Sequence, residues 1–454
     1  MKARNISSKL WTLLVLIVPV LLTTGCDLTH RKEKNSLFTA LTEKELTQIY
    51  DAKEPPWLVG EGKEVIRRRL VRFNYQFLEE KVVRPFANKE SNGVVEFSLF
   101  DDVKVSMINE ALEKNSMGIF VWDARPEARF YSRAAISFSE LAAYGVIQVD
   151  DRIYEIMPVK ENVLAVIEYD TKRFPQFGPP IIHEKPEMKP FSLIFPAITY
   201  PEPIIIKVLV LLPVFQTSNG CVLPLWIKHI LESGYQHNLI KVFNAFQPTF
   251  IGANVEILCT SYKPVGGDLH SDLYWVKSDP NVASLRNRFQ ADLVSLFIFD
   301  GDYGGRGVYI EPPVRAIDEY DGFSVVKMAE AISNFALAHE LGHNLGMNHD
   351  RLTESLLKSE KCNFGSIFAY DDYSFFSRLF PVSFNVHSIM AYASACNNCA
   401  PMGVYSNPME FDLGNAHIGP MGASCTSLPF LGNYYRANNR QQLIDAAPIV
   451  SRFR

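Results

Sequence analysis

The sequence predicts an α/β (α+β) fold: a mixed, twisted sheet with a histidine-bearing helix, preceded by a small β-rich domain. Three observations lead there. The run from Ile204 to Val214 is almost unbroken in its apolar character, as a strand covered on both faces requires, and strand and helix patterns alternate after it. Between about residues 65 and 170 short runs alternate apolar with polar residues, the period of half-buried strands. A proline-rich stretch over residues 171–202 separates the two regions. Proline removes a backbone donor and forbids helix interiors, so that stretch is expected to be an extended linker.

The elements are justified in order. Residues 1–26 have the form of a signal peptide with a lipobox-like end. Lys2, Arg4 and Lys9 precede an apolar run from Leu10 to Leu22, too short for a comfortable membrane span, which ends at Leu22-Thr23-Thr24-Gly25-Cys26. Thr23 stands where a lipobox has leucine, so an ordinary cleaved signal peptide is the alternative. Either reading exports the protein. The expectation is a lipoprotein tethered at Cys26 to a membrane of the bacterial cell envelope, with secretion as the alternative. Residues 27–60 are polar and are read as a tether with one short helix near Glu43 to Tyr50. Residues 61–170 form the β-rich domain. Val71, Phe73, Tyr75 and Phe77 alternate with polar neighbours, as do Val95, Phe97 and Leu99, and Ile119 to Trp122 and Val163 to Tyr169 add further strands.

Residues 203–454 form the second domain. After the Ile204 strand come a helix over Pro224 to Phe246, a strand at Val255 to Cys259 and a helix over Asn281 to Arg288. A buried strand at Asp292 to Phe299, a glycine turn entering a strand at Gly304 to Ile310, and a helix over Ser324 to Leu345 follow. The 454 residues suit two domains, and 47% hydrophobic content with a net charge of −5 is that of an ordinary globular protein. Neither a basic patch nor an acidic tail stands out, so no nucleic-acid partner is expected. Arg67-Arg68-Arg69 is read as a solvated strand end. The six cysteines Cys221, Cys259, Cys362, Cys396, Cys399 and Cys425 suggest disulfides in an exported chain, but six allow about 15 pairings.

The chemistry is concentrated in His339-Glu340-Leu341-Gly342-His343-Asn344-Leu345-Gly346-Met347-Asn348-His349-Asp350. His339 and His343 are four apart and share one helix face. Gly346 can take a positive φ, so the chain can leave the helix sharply and bring His349 back as a third ligand. Three neutral imidazoles leave one position of a zinc ion open, the arrangement of a catalytic site. Glu340 stands beside the first ligand. A candidate Met-turn follows at Ser388-Ile389-Met390-Ala391-Tyr392.

On these residues the chain resembles the metzincin metalloproteases, and within them the reprolysin (adamalysin-like) branch, especially its bacterial relatives. Asp350 after the third histidine is similar to the residue that marks that branch. The Ala291 to Val294 strand, the Gly304 to Ile310 turn-strand, Tyr405-Ser406-Asn407-Pro408, Asn438-Asn439-Arg440 and the closing Ile449 to Arg454 resemble further parts of it.

The resemblance implies a metzincin-type catalytic domain and a zinc-dependent endopeptidase acting on proteins or peptides. Zn2+ would be held by His339, His343 and His349, with Glu340 as general base. It also implies that Met390 floors the site, that Asp350 orients its neighbours and that substrate pairs with an exposed edge near Val308 to Ile310. Tyr392 has the spacing of the zinc-binding tyrosine of astacin-like and serralysin-like relatives; a place in the pocket wall is the other reading. The region from about Glu64 to Tyr169 resembles the prodomain of such enzymes. No cysteine lies between Cys26 and Cys221, which excludes a cysteine cap from that region and leaves open whether it inhibits, chaperones or is removed. His183 is read as an exposed linker histidine more than as a metal cap. Two rival readings stand beside the enzyme. One is a catalytically inactive metzincin-like binding or adhesion module at the cell envelope, which the intact His and Glu set argues against. The other is a structural zinc site, which would favour a closed, cysteine-rich shell.

Overall fold

The computed structural model of the chain describes residues 36–52, 62–89, 93–126, 133–149, 152–182, 204–213, 223–244, 251–262, 267–350 and 438–454. Shorter pieces are described at 264, 353, 364–365, 367–369, 385–396, 400–401, 403–406, 411–413 and 416–418. The signal segment with Cys26, His183, Cys221, Cys362, Cys399, Cys425 and Asn407-Pro408 lie outside the described residues.

The N-terminal region builds a nine-stranded sheet from β1 (Phe38–Ala40), β2 (Val65–Phe73), β3 (Val94–Phe100), β4 (Val103–Lys114), β5 (Phe120–Pro126), β6 (Arg133–Phe138), β7 (Ala143–Val149), β8 (Arg152–Lys160) and β9 (Val163–Asp170). Its order is β1-β2-β9-β8-β7-β6-β5-β4-β3, with antiparallel neighbours throughout. The segment read as a tether is therefore partly built into the fold, because Phe38–Ala40 pairs with Val71–Phe73 and α1 (Glu43–Ala52) follows it. One face of this sheet buries Phe38, Phe97, Trp122 and Phe138, and a helical stretch over residues 75–87 contributes Phe77, Leu78 and Val82 to the same core.

The second sheet comprises β10 (Ile181–Ile182), β11 (Ile204–Pro213), β12 (Ile251–Thr260), β13 (Leu293–Ile298), β14 (Gly305–Tyr309) and β15 (Phe323–Lys327), in the order β10-β14-β15-β13-β11-β12. It is mixed: β14 runs antiparallel to β15, while β12, β11, β13 and β15 are mutually parallel. The period of two explains the apolar run in β11. Val208, Val210 and Leu212 join the core that also holds α2 (Leu225–Asn244) and α5 (Ala336–Asn344). Leu209 and Leu211 join a separate core with α3 (Leu269–Ser278) and α4 (Pro280–Phe289). A last helix, α6 (Asn439–Val450), adds Leu443, Ala446, Ala447 and Val450 to the first of these cores. Cys259 is disulfide-bonded.

Three expectations are corrected. The alternation read as a strand through Val71, Phe73, Tyr75 and Phe77 ends at Phe73, and Tyr75–Leu78 turn into a helix instead. The helix expected over Ser324 to Leu345 is only its second half. Ser324 to Lys327 belong to β15, in parallel register with Ser295 to Ile298, and a turn then leads to α5. A fully buried strand followed by a fully buried helix keeps apolar residues throughout, so periodicity alone cannot find the junction. The edge expected to be exposed near Val308 is covered: Ile181 and Ile182 pair in parallel with Val308 and Tyr309. One helix, α3, was also missed. Asp268 caps it by accepting from the His270 and Ser271 amides, and Asp279 then caps α4.

The two sheets meet closely. α2 packs its Tyr235 ring 5.3 Å from that of Tyr144 in β7, and Asp123 of β5 meets His237 and Lys241, each at 2.8 Å. A buried ion pair joins Lys327 at the end of β15 to Glu64 at 2.6 Å.

Candidate metal centre

α5 is short, wholly buried and entered abruptly. Phe335, just before it, holds a left-handed φ of 58° with its side chain buried, and the Arg133 guanidinium lies 4.1 Å over its ring. A non-glycine residue in that region stores about 1 kcal/mol or more of strain, which surrounding contacts must hold. The helix ends at Gly346, whose φ of +82° favours glycine. A Cβ there would also stand 2.6 Å from Gln442 Nε2 and 3.1 Å from the Ile310 carbonyl. The turn returns the chain so that His349 joins His339 and His343 in one buried cluster.

Both helical ligands are oriented by backbone. His339 Nδ1–H donates to the Ile389 carbonyl at 2.7 Å, and His343 Nδ1–H to the Met347 carbonyl at 2.9 Å. A carbonyl can only accept, so the Nε2 atom of each ring carries the free lone pair. Those atoms face His349 Nε2 at 3.2 and 3.1 Å. Imidazoles bound about 2.0–2.1 Å from one tetrahedral centre hold their nitrogens roughly 3.3–3.4 Å apart. Burial, and the neighbouring imidazoles after it, lower the pKa values of His339 and His343 well below the usual histidine value, so both stay neutral. Three converging imidazole nitrogens fit a single cation.

Glu340 points its carboxylate toward β14. Both oxygens are buried without a full hydrogen bond, an expensive state for a carboxylate alone. Burial raises its pKa well above the carboxylate range, opposed by the charge of Arg306 and the amide of Gly307. Room for the side chain comes from two glycines. A Cβ on Gly305 would stand 2.6 Å from Glu340 Oε1, and one on Gly307 would stand 3.0 Å from Oε2.

The other expected residues lie around this centre. Met390 is buried beneath α5, so closely that a Cβ on Gly342 would be 2.5 Å from its sulfur. Asp350 accepts from the Thr353 amide and hydroxyl at 2.9 and 2.7 Å and from the Tyr392 amide at 3.2 Å, which ties the third-ligand strand to the Met390 turn. The Tyr392 ring packs 4.3 Å from that of His349, and its hydroxyl donates to the Phe177 carbonyl at 2.8 Å. Tyr405 donates to the Ala338 carbonyl at 2.7 Å.

Sequence reasoning missed two contributors. Asn344 Nδ2 donates to the carbonyls of Val308, Asp321 and Phe323, locking the helix end to the sheet. Phe177 stacks on the His339 ring at 3.9 Å between centroids. An asparagine inside an apolar helix was a readable signal for the first; nothing in a proline-rich stretch marked the second.

Sheet, helix and three convergent histidines together form a candidate centre for one metal ion. Residues 253–350 match the family model described as Metallo-peptidase family M12B Reprolysin-like. Among solved structures, the crystal structure of metalloproteinase-II from Bacteroides fragilis is similar at 14% identity and a TM-score of 0.35, covering 59% of this chain and 85% of that one. A chain from a structure of a chaperone-substrate complex is similar at 17% identity and a TM-score of 0.35, over 55% of this chain. This chain spans 38% of the length of that one.

Proposed function

We propose that the protein is a zinc-dependent endopeptidase that hydrolyses peptide bonds of proteins, with His339, His343 and His349 as metal ligands and Glu340 as general base. The observation that carries this reading is the convergence of three buried imidazole nitrogens, with a buried carboxylate that lacks a full hydrogen bond on the same helix, next to the first of them. Zinc, when bound, supplies a Lewis acid that polarises the scissile carbonyl and acidifies water.

The chain does the rest. Ile389 and Met347 carbonyls fix the two helical imidazoles so that their lone pairs point inward. Glu340 takes the proton of the attacking water on a carboxylate oxygen and returns it to the leaving amine. Gly305 and Gly307 hold β14 close enough to confine that carboxylate. The outer edge of β14 is paired with Ile181 and Ile182, so an extended peptide would bind there only once that pairing opens. Met390 packs beneath the helix as an apolar floor and takes no part in proton transfer.

The metzincin-type architecture, with the N-terminal sheet as a prodomain-like unit, belongs to the same proposal. So does export through residues 1–26 with a lipid tether at Cys26. The Cys26→Ser variant is expected to move the protein from the membrane to the soluble fraction; unchanged membrane association would rule the tether out.

Prolonged casein or gelatin digestion by the full chain, with and without a chelator, tests the activity. Digestion abolished by chelator and restored by zinc supports the enzyme. Zinc bound without any digestion would favour a catalytically inactive binding module.

A further inference from the structure

We propose that Arg133 of the N-terminal sheet is a positioning residue for the metal centre, acting through the Phe335 ring to hold the first turn of α5 and, with it, His339; this rests on the reading of His339 as a metal ligand. Arg133 opens β6, where it pairs with Gln148 of β7. Its guanidinium carbon lies 4.1 Å from the centre of the Phe335 ring. The contact exists only because the two sheets meet, and it falls at the entry of the helix that carries two of the three candidate ligands.

Phe335 stands where the chain turns into α5. Its φ of 58° is left-handed, and the residue is only 1% exposed. A non-glycine residue keeps that backbone only while its surroundings over-determine it. Glycine would adopt it freely; phenylalanine must be held by its side chain. The conformation matters to the centre because the Phe335 carbonyl accepts the His339 amide at 2.9 Å. Relaxation of Phe335 toward an ordinary φ would swing that carbonyl and free the amide of the first ligand. One residue thus sets both the start of the helix and the backbone of His339.

Two groups hold the ring. Gly403 packs against it: a Cβ there would stand 2.7 Å from two ring carbons and 2.8 Å from Arg133 Nη1, so backbone, ring and guanidinium lie together. The next residue along accepts the Ile389 amide at 2.9 Å, and the Ile389 carbonyl in turn receives His339 Nδ1–H. Arg133 supplies the other hold. Burial lowers its pKa from 12.5 to about 10, opposed by the charge of Asp123, so it remains a cation at neutral pH. A cation over an aromatic face away from water is worth about tenfold or more in an equilibrium constant. A guanidinium also stacks on a ring in a way that an ammonium does not.

The test uses the full chain as wild type, Arg133→Ala, Arg133→Lys, Phe335→Leu and the double variant of Arg133→Ala with Phe335→Leu. Leucine keeps an apolar side chain at residue 335 but removes the ring face. Three readouts are taken: zinc affinity by competition with a chelator, the visible spectrum of cobalt-loaded protein, and hydrogen exchange of the His339 amide in metal-stripped protein. Arg133→Ala is expected to bind zinc about tenfold more weakly, to change the cobalt spectrum and to exchange the His339 amide about tenfold faster. Arg133→Lys should recover part of each. In the Phe335→Leu background Arg133→Ala should change little, because the ring through which it acts is gone. Wild-type zinc affinity and wild-type His339 exchange in folded Arg133→Ala would overturn the proposal, as would an equal loss in both backgrounds. Should Arg133→Ala unfold, unchanged affinity and exchange in Phe335→Leu would overturn it; should that variant unfold too, rapid exchange of the His339 amide in the folded wild type would do so. If the wild type binds no zinc, the metal-ligand reading fails, and His339 exchange still decides whether Arg133 holds the helix.

Discussion

A methyl group at Gly305 would press directly on the group assigned as the base. It would stand 2.6 Å from Glu340 Oε1, 2.7 Å from Cγ and 3.0 Å from Cδ. Carbon contacts are comfortable at about 3.5–4.0 Å, so the carboxylate must retreat by roughly 1 Å. Gly305 has no positive φ, so alanine strains nothing in the backbone itself. The side chain it pushes is fully buried, with Gly307 close on the same strand. A misplacement of about 1 Å at reacting groups costs on the order of 100-fold in rate. Gly305→Ala is therefore expected to lower kcat/KM by about 100-fold, or about 2.7 kcal/mol of transition-state stabilisation, with bound zinc unchanged. The assay is steady-state hydrolysis of a fluorogenic peptide by Gly305→Ala and wild type, beside elemental analysis of the same samples. Wild-type kcat/KM with full metal content in Gly305→Ala would refute the confinement of Glu340 by β14.

Two further outcomes follow from buried polar groups. Asn344→Ala removes one amide that serves three carbonyls, so it should cost about 1–3 kcal/mol, read as a lower denaturation midpoint, before any change at the ligands. Glu155 in β8 is buried, with its pKa raised from 4.5 to about 8 chiefly by burial. A raised folded-state pKa gives stability that is full below 4.5 and is lost as pH rises toward 8, at up to about 1.4 kcal/mol per pH unit. Glu155→Gln should flatten the thermal midpoint of metal-stripped protein across that window and raise it at pH 8; an unchanged slope would count against a neutral Glu155.

The parts of the molecule legible in its sequence were those governed by short-range rules. Alternation around Phe97 marks a strand because it lines one core face. That around Val71 does so only as far as Phe73, because Tyr75 and Phe77 lie in a helix that buries Phe77 in the same core. Gly346 marks a turn because a left-handed φ is needed there. The histidine spacing was legible because a helix turns in about 3.6 residues. Strand β15 was hidden because Val325 and Val326 are buried on both faces, as a buried helix would also be. Phe177 was hidden for a different reason. Its partners are His339 and Tyr392, far along the chain, and no local pattern encodes a contact made by tertiary pairing of an extended segment. The same holds for Glu64 with Lys327, an ion pair set entirely by how the two sheets meet.

The most direct test of the central claim is zinc content and peptide hydrolysis measured on the same preparations of wild type, Glu340→Ala and His343→Ala. The account predicts stoichiometric zinc in the wild type and in Glu340→Ala, little or none in His343→Ala, and hydrolysis in the wild type alone. Turnover by zinc-loaded Glu340→Ala, or full zinc binding by His343→Ala, would contradict it.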